Sequence, residues 1–264
     1  MAADSGIPVR YEFADHIAVI TLDRPDALNA VNSALAVGLG NALEAAAQDM
    51  DVRVVVVTGT GRAFCAGADL KALAAGDRID DPDHPERGFA GIVRHWIPKP
   101  VIAAVNGFAL GGGTELVLAA DLAVIDETAS LGLPEVRRGL IAAAGGLLRV
   151  HRQVSPKVAN EIALTGQPIS AVRAHELGLV NRVARQGTAL DTARELAATI
   201  AANAPVSVAQ SKWLMHETAK DEQGWDDRAW ELNQEALVRV LSSADAREGP
   251  RAFAEKREPR WEGR

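Results

Sequence analysis

The sequence predicts an α/β fold, on three observations. Two short β-branched runs, IAVITL (17–22) and VRVVVVT (52–58), flank an Ala/Leu-rich segment of helical period, the pattern of a right-handed crossover in a parallel sheet. A third run, VIAAV (101–105), repeats the strand signature ahead of a glycine-rich turn. From Pro156 onward the text changes to amphipathic helical segments.

In chain order, the first strand runs into Asp23-Arg24-Pro25-Asp26, a turn signal. Asn32 and Ser33 are candidate N-caps for a helix ending near Met50. After the second strand, Asp69 is placed to cap a helix beginning at Leu70. The polar stretch 74–94, with Pro82, Pro85 and many Asp, reads as a mobile surface loop or short helices. A helix over 115–120 and a strand over 122–125 follow the glycines. Helices are expected over 157–165, 170–176, 190–203, 206–220 and 224–242, with a charged tail over 247–264. Trp213, Trp225, Trp230 and Trp261, at helical spacing in the last third, read as core or subunit interface rather than a ligand box.

Composition narrows the function. At 264 residues, 48% hydrophobic and 24% charged, the chain carries ample material for a core. A net charge of −7 without long like-charge runs argues against nucleic acid or an anionic membrane as the main partner. Cys65 is the one cysteine, so no intrachain disulfide forms. No signal-peptide pattern is visible, and no apolar run approaches the roughly 20 residues of a membrane span, so the expected location is cytoplasmic. Six scattered histidines show no paired spacing for a metal, and no GxSxG elbow surrounds a serine.

The stretch KPVIAAVNGFALGGGTELVLAAD (99–121) organises the rest. A triple glycine between a buried strand and a helix permits backbone shapes closed to other residues and brings bare N–H groups to a helix N-terminus. Glu115 falls in the first turn of that helix, beside whatever those groups bind. A glycine run also serves close helix packing, and a first-turn Glu also complements the helix dipole. A second carboxylate, Glu135, follows Pro134 in an apolar setting; partial desolvation there raises proton affinity and suits acid/base work.

Taken together, RPDALNA (24–30), AFCAGADL (63–70), KPVIAAVNGFALGGGTEL (99–116) and LPE (133–135) resemble the crotonase, or enoyl-CoA hydratase/isomerase, family. The resemblance runs essentially end to end, and it implies a spiral of ββα units over residues 1–200. It further implies a helical C-terminal region, 201–264, used for trimerisation, in a homotrimer or dimer of trimers. By the same likeness the backbone N–H groups of Ala68 and Gly112 form an oxyanion hole for an acyl-CoA thioester. Glu115 would activate the water attacking C3, and Glu135 would deliver the proton to C2. Coenzyme A would lie along Ala27, Leu28, Ala66, Ala68, Asp69 and Leu70, with Leu110, Gly111, Gly112 and Pro134 completing the substrate site. Its phosphates would meet Arg24 or Lys256. No cofactor beyond the CoA of the substrate is implied. Possession of both glutamates favours hydration; the alternatives are isomerisation, dehydration of a specialised hydroxyacyl-CoA, or non-catalytic acyl-CoA binding. One departure stands out: where many hydratases carry Pro-Gly ahead of the paired glycines, this chain reads Ala142-Ala143 before Ala144-Gly145-Gly146.

Overall fold

The computed structural model describes residues 8–219 and 227–264. The chain opens on an antiparallel hairpin, β1 (Val9–Ala14) and β2 (Ile17–Leu22). Helix α1 (Ser33–Gln48) starts where the Asn32 side chain accepts the Leu35 N–H at 3.0 Å. Three repeats follow. They are β3 (Val54–Gly59), β4 (Ala63–Cys65) and α2 (Leu70–Ala74); β5 (Val101–Val105), β6 (Phe108–Leu110) and α3 (Gly112–Ala119); then β7 (Leu122–Asp126), β8 (Ser130–Gly132) and a 3-10 turn over Pro134–Arg138. After these come α4 (Gly146–Gln153), α5 (Pro156–Thr165), β9 (Ile169–Ser170), α6 (Ala171–Glu176), β10 (Arg182–Ala184) and α7 (Ala189–Ala201). Helices α8 (Pro205–Thr218), α9 (Asp227–Ser242) and α10 (Asp245–Glu255) complete the described chain.

Each repeat gives its first strand to a six-stranded sheet, ordered β1-β2-β3-β5-β7-β10, and its second to a four-stranded sheet, ordered β4-β6-β8-β9. This is the spiral of ββα units that the resemblance implied. Alternation along the large sheet feeds two cores. Ala18, Ile20, Leu22, Val55, Val57, Ala103 and Val105 pack with Leu35, Leu39 and Leu43 of α1. The opposite face, Ile17, Val19, Val54, Val56, Ile102 and Ala104, meets Ala189, Ala193, Ala197 and Ala201 of α7, a stripe of small residues four apart that lets helix and sheet approach closely. Both faces being covered explains why these strands read as unbroken apolar runs.

The structure corrects several expectations. The residue pattern alone gave one parallel sheet, whereas β1 and β9 pair antiparallel and a second sheet is present. The helix expected over 115–120 begins at Gly112. The stretch 74–94 forms two short 3-10 turns, the second of its two expected forms, and is buried in places: Asp81 is 1% exposed and Arg87 8%. Arg87 donates to Asn41 of α1 at 3.0 Å and faces Asp81 Oδ2 at 3.5 Å, while Asp81 Oδ1 accepts the Asp83 and His84 N–H groups, so each buried charge lies beside an opposite charge and polar partners. The charged tail contains α10. Trp230 is 58% exposed, while Trp213 and Trp261 are half-buried, so none of the three is core within the chain; Trp225 lies outside the described residues.

Candidate active site

The glycine turn leads from β6 of the smaller sheet into α3. Gly111 takes φ 57°, open to glycine and strained for other residues, and its N–H donates to the Gly132 carbonyl at 2.8 Å. An added Cβ on Gly113 would stand 2.0 Å from the Cys65 carbonyl oxygen, so α3 can lie against β4 only through glycine. Gly112 is the first residue of α3, and its N–H is among those that no helical carbonyl can accept.

A second main-chain donor comes from β4's far end. Val31 forms a parallel bridge to Ala68: the Val31 N–H donates to the Gly67 carbonyl at 2.8 Å, and the Asp69 N–H donates to the Val31 carbonyl at 2.9 Å. That pairing uses the neighbours of Ala68, which turns the Ala68 amide to the other side. Gly67 packs directly on Gly112; a Cβ on Gly67 would meet the Gly112 nitrogen at 3.0 Å. The Phe89 ring covers Gly112, with Cε1 2.5 Å from where a Gly112 Cβ would stand.

Two carboxylates converge here. Glu115, in the first turn of α3, is 3% exposed and accepts the Gly146 N–H on Oε1 at 2.7 Å. Burial pushes its pKa up to about 6; the Gly146 N–H opposes this, and the nearby charge of Glu135 adds to it. Glu135, in the 3-10 turn, has Oε1 3.1 Å from where a Gly111 Cβ would stand. Its pKa is also raised, chiefly by burial, and its Oε2 is buried without a hydrogen-bond partner among the described residues.

The remaining expected residues fall around this centre. Leu28 adopts φ 55°, and its carbonyl accepts the Ala66 N–H at 3.0 Å, setting the turn that holds Ala27 and Leu28 beside the β4 end. Asp69 caps α2 through the Lys71 and Ala72 N–H groups, and its other oxygen pairs with Arg24 at 3.1 Å. Leu70 is 57% exposed beside it, whereas Leu110 and Pro134 flank the glycine turn and the Glu135 turn. Arg24 was expected at a phosphate, but its side chain is 9% exposed and engaged by Asp69 and the Ala30 carbonyl. Lys256 is exposed, far along the tail. Sequence reasoning missed Gly146 and Arg149, brought in by α4, and Phe89, brought in by the 3-10 turn over Phe89–Gly91, placements that no local pattern reports. Downstream of Ala142-Ala143 the Gly146 N–H is seated on Glu115, and Leu140 and Ile141 stand 53% and 65% exposed. A separate cavity of about 270 Å³, between Arg10, Thr58 and Arg194, touches none of these residues.

One buried and one half-buried carboxylate beside main-chain donors, on this fold, fit a hydro-lyase of the crotonase type. A model of the enoyl-CoA hydratase/isomerase family matches residues 12–264, and the chain belongs to that family. It is similar to an enoyl-CoA hydratase from Mycobacterium tuberculosis H37Rv, whose crystal structure superposes with a TM-score of 0.91 at 45% identity over 98% of this chain and 100% of that one. A carnitinyl-CoA dehydratase structure from Mycobacterium avium 104 gives a TM-score of 0.80 at 52% identity, again over 98% and 100%. A carnitinyl-CoA dehydratase of Salmonella enteritidis PT4 is 44% identical over 250 residues, 93% of this chain and 94% of that one. Among the described residues no helix is long and apolar enough to cross a membrane.

Proposed function

We propose that the protein is an enoyl-CoA hydratase, adding water reversibly and syn to trans-2-enoyl-CoA to give 3-hydroxyacyl-CoA. The observation that carries this reading is the convergence of Glu115 and Glu135 beside Gly111 and Gly112. In it the Ala68 and Gly112 N–H groups hold the thioester oxygen as charge develops there, each worth about 3–4 kcal/mol in the transition state. Glu115 takes a proton from the water whose oxygen bonds to C3, and the Gly146 N–H keeps one of its oxygens in place. The π electrons of the double bond move toward C2 and the thioester, and Glu135 gives its proton to C2. Transfer of a proton from Glu115 back to Glu135 resets the pair.

Ala27, Leu28, Ala66, Asp69 and Leu70 hold the CoA end in this reading, and Leu110, Gly111 and Pro134 line the acyl end. No cofactor is needed beyond CoA itself. Residues 201–264 supply the contacts of a homotrimer or dimer of trimers, and the enzyme works in the cytoplasm.

A second reading, dehydration of carnitinyl-CoA, is favoured by the 52% identity to the Mycobacterium avium protein. The two share one chemistry and differ in the group on C4. The test is loss of the enoyl-thioester ultraviolet band with crotonyl-CoA against its trimethylammonium-bearing analogue. Preference for crotonyl-CoA supports hydratase; a large preference for the cationic analogue supports the second reading; no turnover of either overturns both.

A further inference from the structure

Arg149 takes no part in the steps above, yet it stands where three segments of the site meet. Its Nη2 donates to the Val93 carbonyl at 2.5 Å. Its Nη1 lies against Gly145, where an added Cβ would meet it at 2.0 Å. Gly145 adopts φ 99°, and the next residue is Gly146, whose N–H is seated on Glu115. Val93 closes the segment that lays Phe89 over Gly112. One guanidinium thus ties the turn that orients Glu115 to the segment that covers the candidate oxygen site. A planar, always-charged fork with several donors suits such a junction, and an amine does so less well.

We infer that Arg149 is a positioning residue for Glu115: it clamps the Gly145–Gly146 turn against the Val93 carbonyl and places a positive charge beside the carboxylate. The catalytic weight of this role rests on the hydratase reading; the geometry does not. The charged groups facing Glu115 are Glu135 from the 3-10 turn and Arg149 from α4. Strand β4 brings the buried Cys65 thiol, and β5 and β6 bring no ionisable side chain. Burial works against the Arg149 charge and Glu115 supports it, so the two depend on each other.

The test is a titration that needs no substrate, on the full-length protein. Glutamate labelled with carbon-13 at the carboxyl carbon reports each side chain by NMR, and the Glu115 signal is the one lost in Glu115→Gln. In Arg149→Met the Glu115 midpoint is expected to move to higher pH, and in Arg149→Lys to stay near wild type. Turnover of crotonyl-CoA at neutral pH should fall roughly 10- to 100-fold in kcat for Arg149→Met, with KM changed less, and recover in part for Arg149→Lys. If Arg149→Met fails to fold, Arg149→Gln, which keeps a donor but no charge, is read the same way. An unchanged Glu115 midpoint in a folded uncharged variant overturns the inference. A moved midpoint in a protein that turns over no enoyl-CoA supports the inference and sinks only the hydratase reading.

Discussion

Glu115 accepts the Gly146 N–H at 2.7 Å across 31 positions of sequence. The contact, with the Ala144 main chain and the Arg149 charge, opposes the burial of a carboxylate 3% exposed and favours its ionised form.

Activity should therefore lose its base at mildly acid pH. With the Glu115 pKa at about 6, kcat/KM for hydration is expected to be near its plateau at pH 8 and to fall as pH drops through about 6. A pH–rate profile on crotonyl-CoA checks this. A plateau that continues undiminished to pH 4.5 would show that Glu115 is not the base.

The same group sets a cost in stability. Its folded pKa lies above the ordinary glutamate value of 4.5, so between pH 4.5 and about 6 the folded state keeps a proton that the unfolded chain releases. Stability from this group is fully present below pH 4.5, declines as pH rises through that window, and is lower by roughly 1–2 kcal/mol above it. Glu115→Gln, which keeps an acceptor for the Gly146 N–H, should be more stable than wild type at pH 8, with the difference shrinking toward pH 4. Denaturant titrations at the two pH values measure it.

Gly113 and Gly112 should respond differently to alanine. At Gly113 the new Cβ would stand 2.0 Å from the Cys65 backbone oxygen, which cannot move without shifting β4. A loss of about 3 kcal/mol or more, or failure to fold, is expected. At Gly112 the clash is with the Phe89 ring, a side chain that can be shortened. Gly112→Ala should fold but turn over poorly, and adding Phe89→Leu should restore part of the stability. Thermal unfolding of the three proteins checks both statements.

Asp69→Ala removes the cap of α2 and leaves Arg24, 9% exposed, without that partner. Loss of the cap alone costs about 1 kcal/mol. Asp69→Asn, which can still cap, should recover most of it, and KM for acyl-CoA should rise more in the alanine variant.

How much of this was legible in sequence depended on length and on burial. β2, β3 and β5 showed plainly because both of their faces are covered. β4, β6 and β8 have three residues each, too few for a period to register, and so the second sheet stayed hidden in the residue pattern. β1 shows only Val9 to the core, which leaves VRYEFA looking like loop. The stretch around Asp81 and Arg87 has surface composition yet is buried, because its charges pair with each other and with Asn41. Glu115 and Glu135 were readable as candidates from their neighbours, and the structure brings both to the glycine turn. The Gly146 amide, Arg149 and the Phe89 ring were not, since α4 and the Phe89 turn reach the site through tertiary packing rather than a motif.

The most direct measurement of the central claim is the hydration rate of crotonyl-CoA by wild type, Glu115→Gln and Glu135→Gln, followed in the ultraviolet with the product recovered from deuterated water. Two carboxylates sharing the work predict that each variant is slowed roughly 10²- to 10⁴-fold and that the wild-type product carries one solvent deuterium at C2. Undiminished rates in both variants would contradict the account.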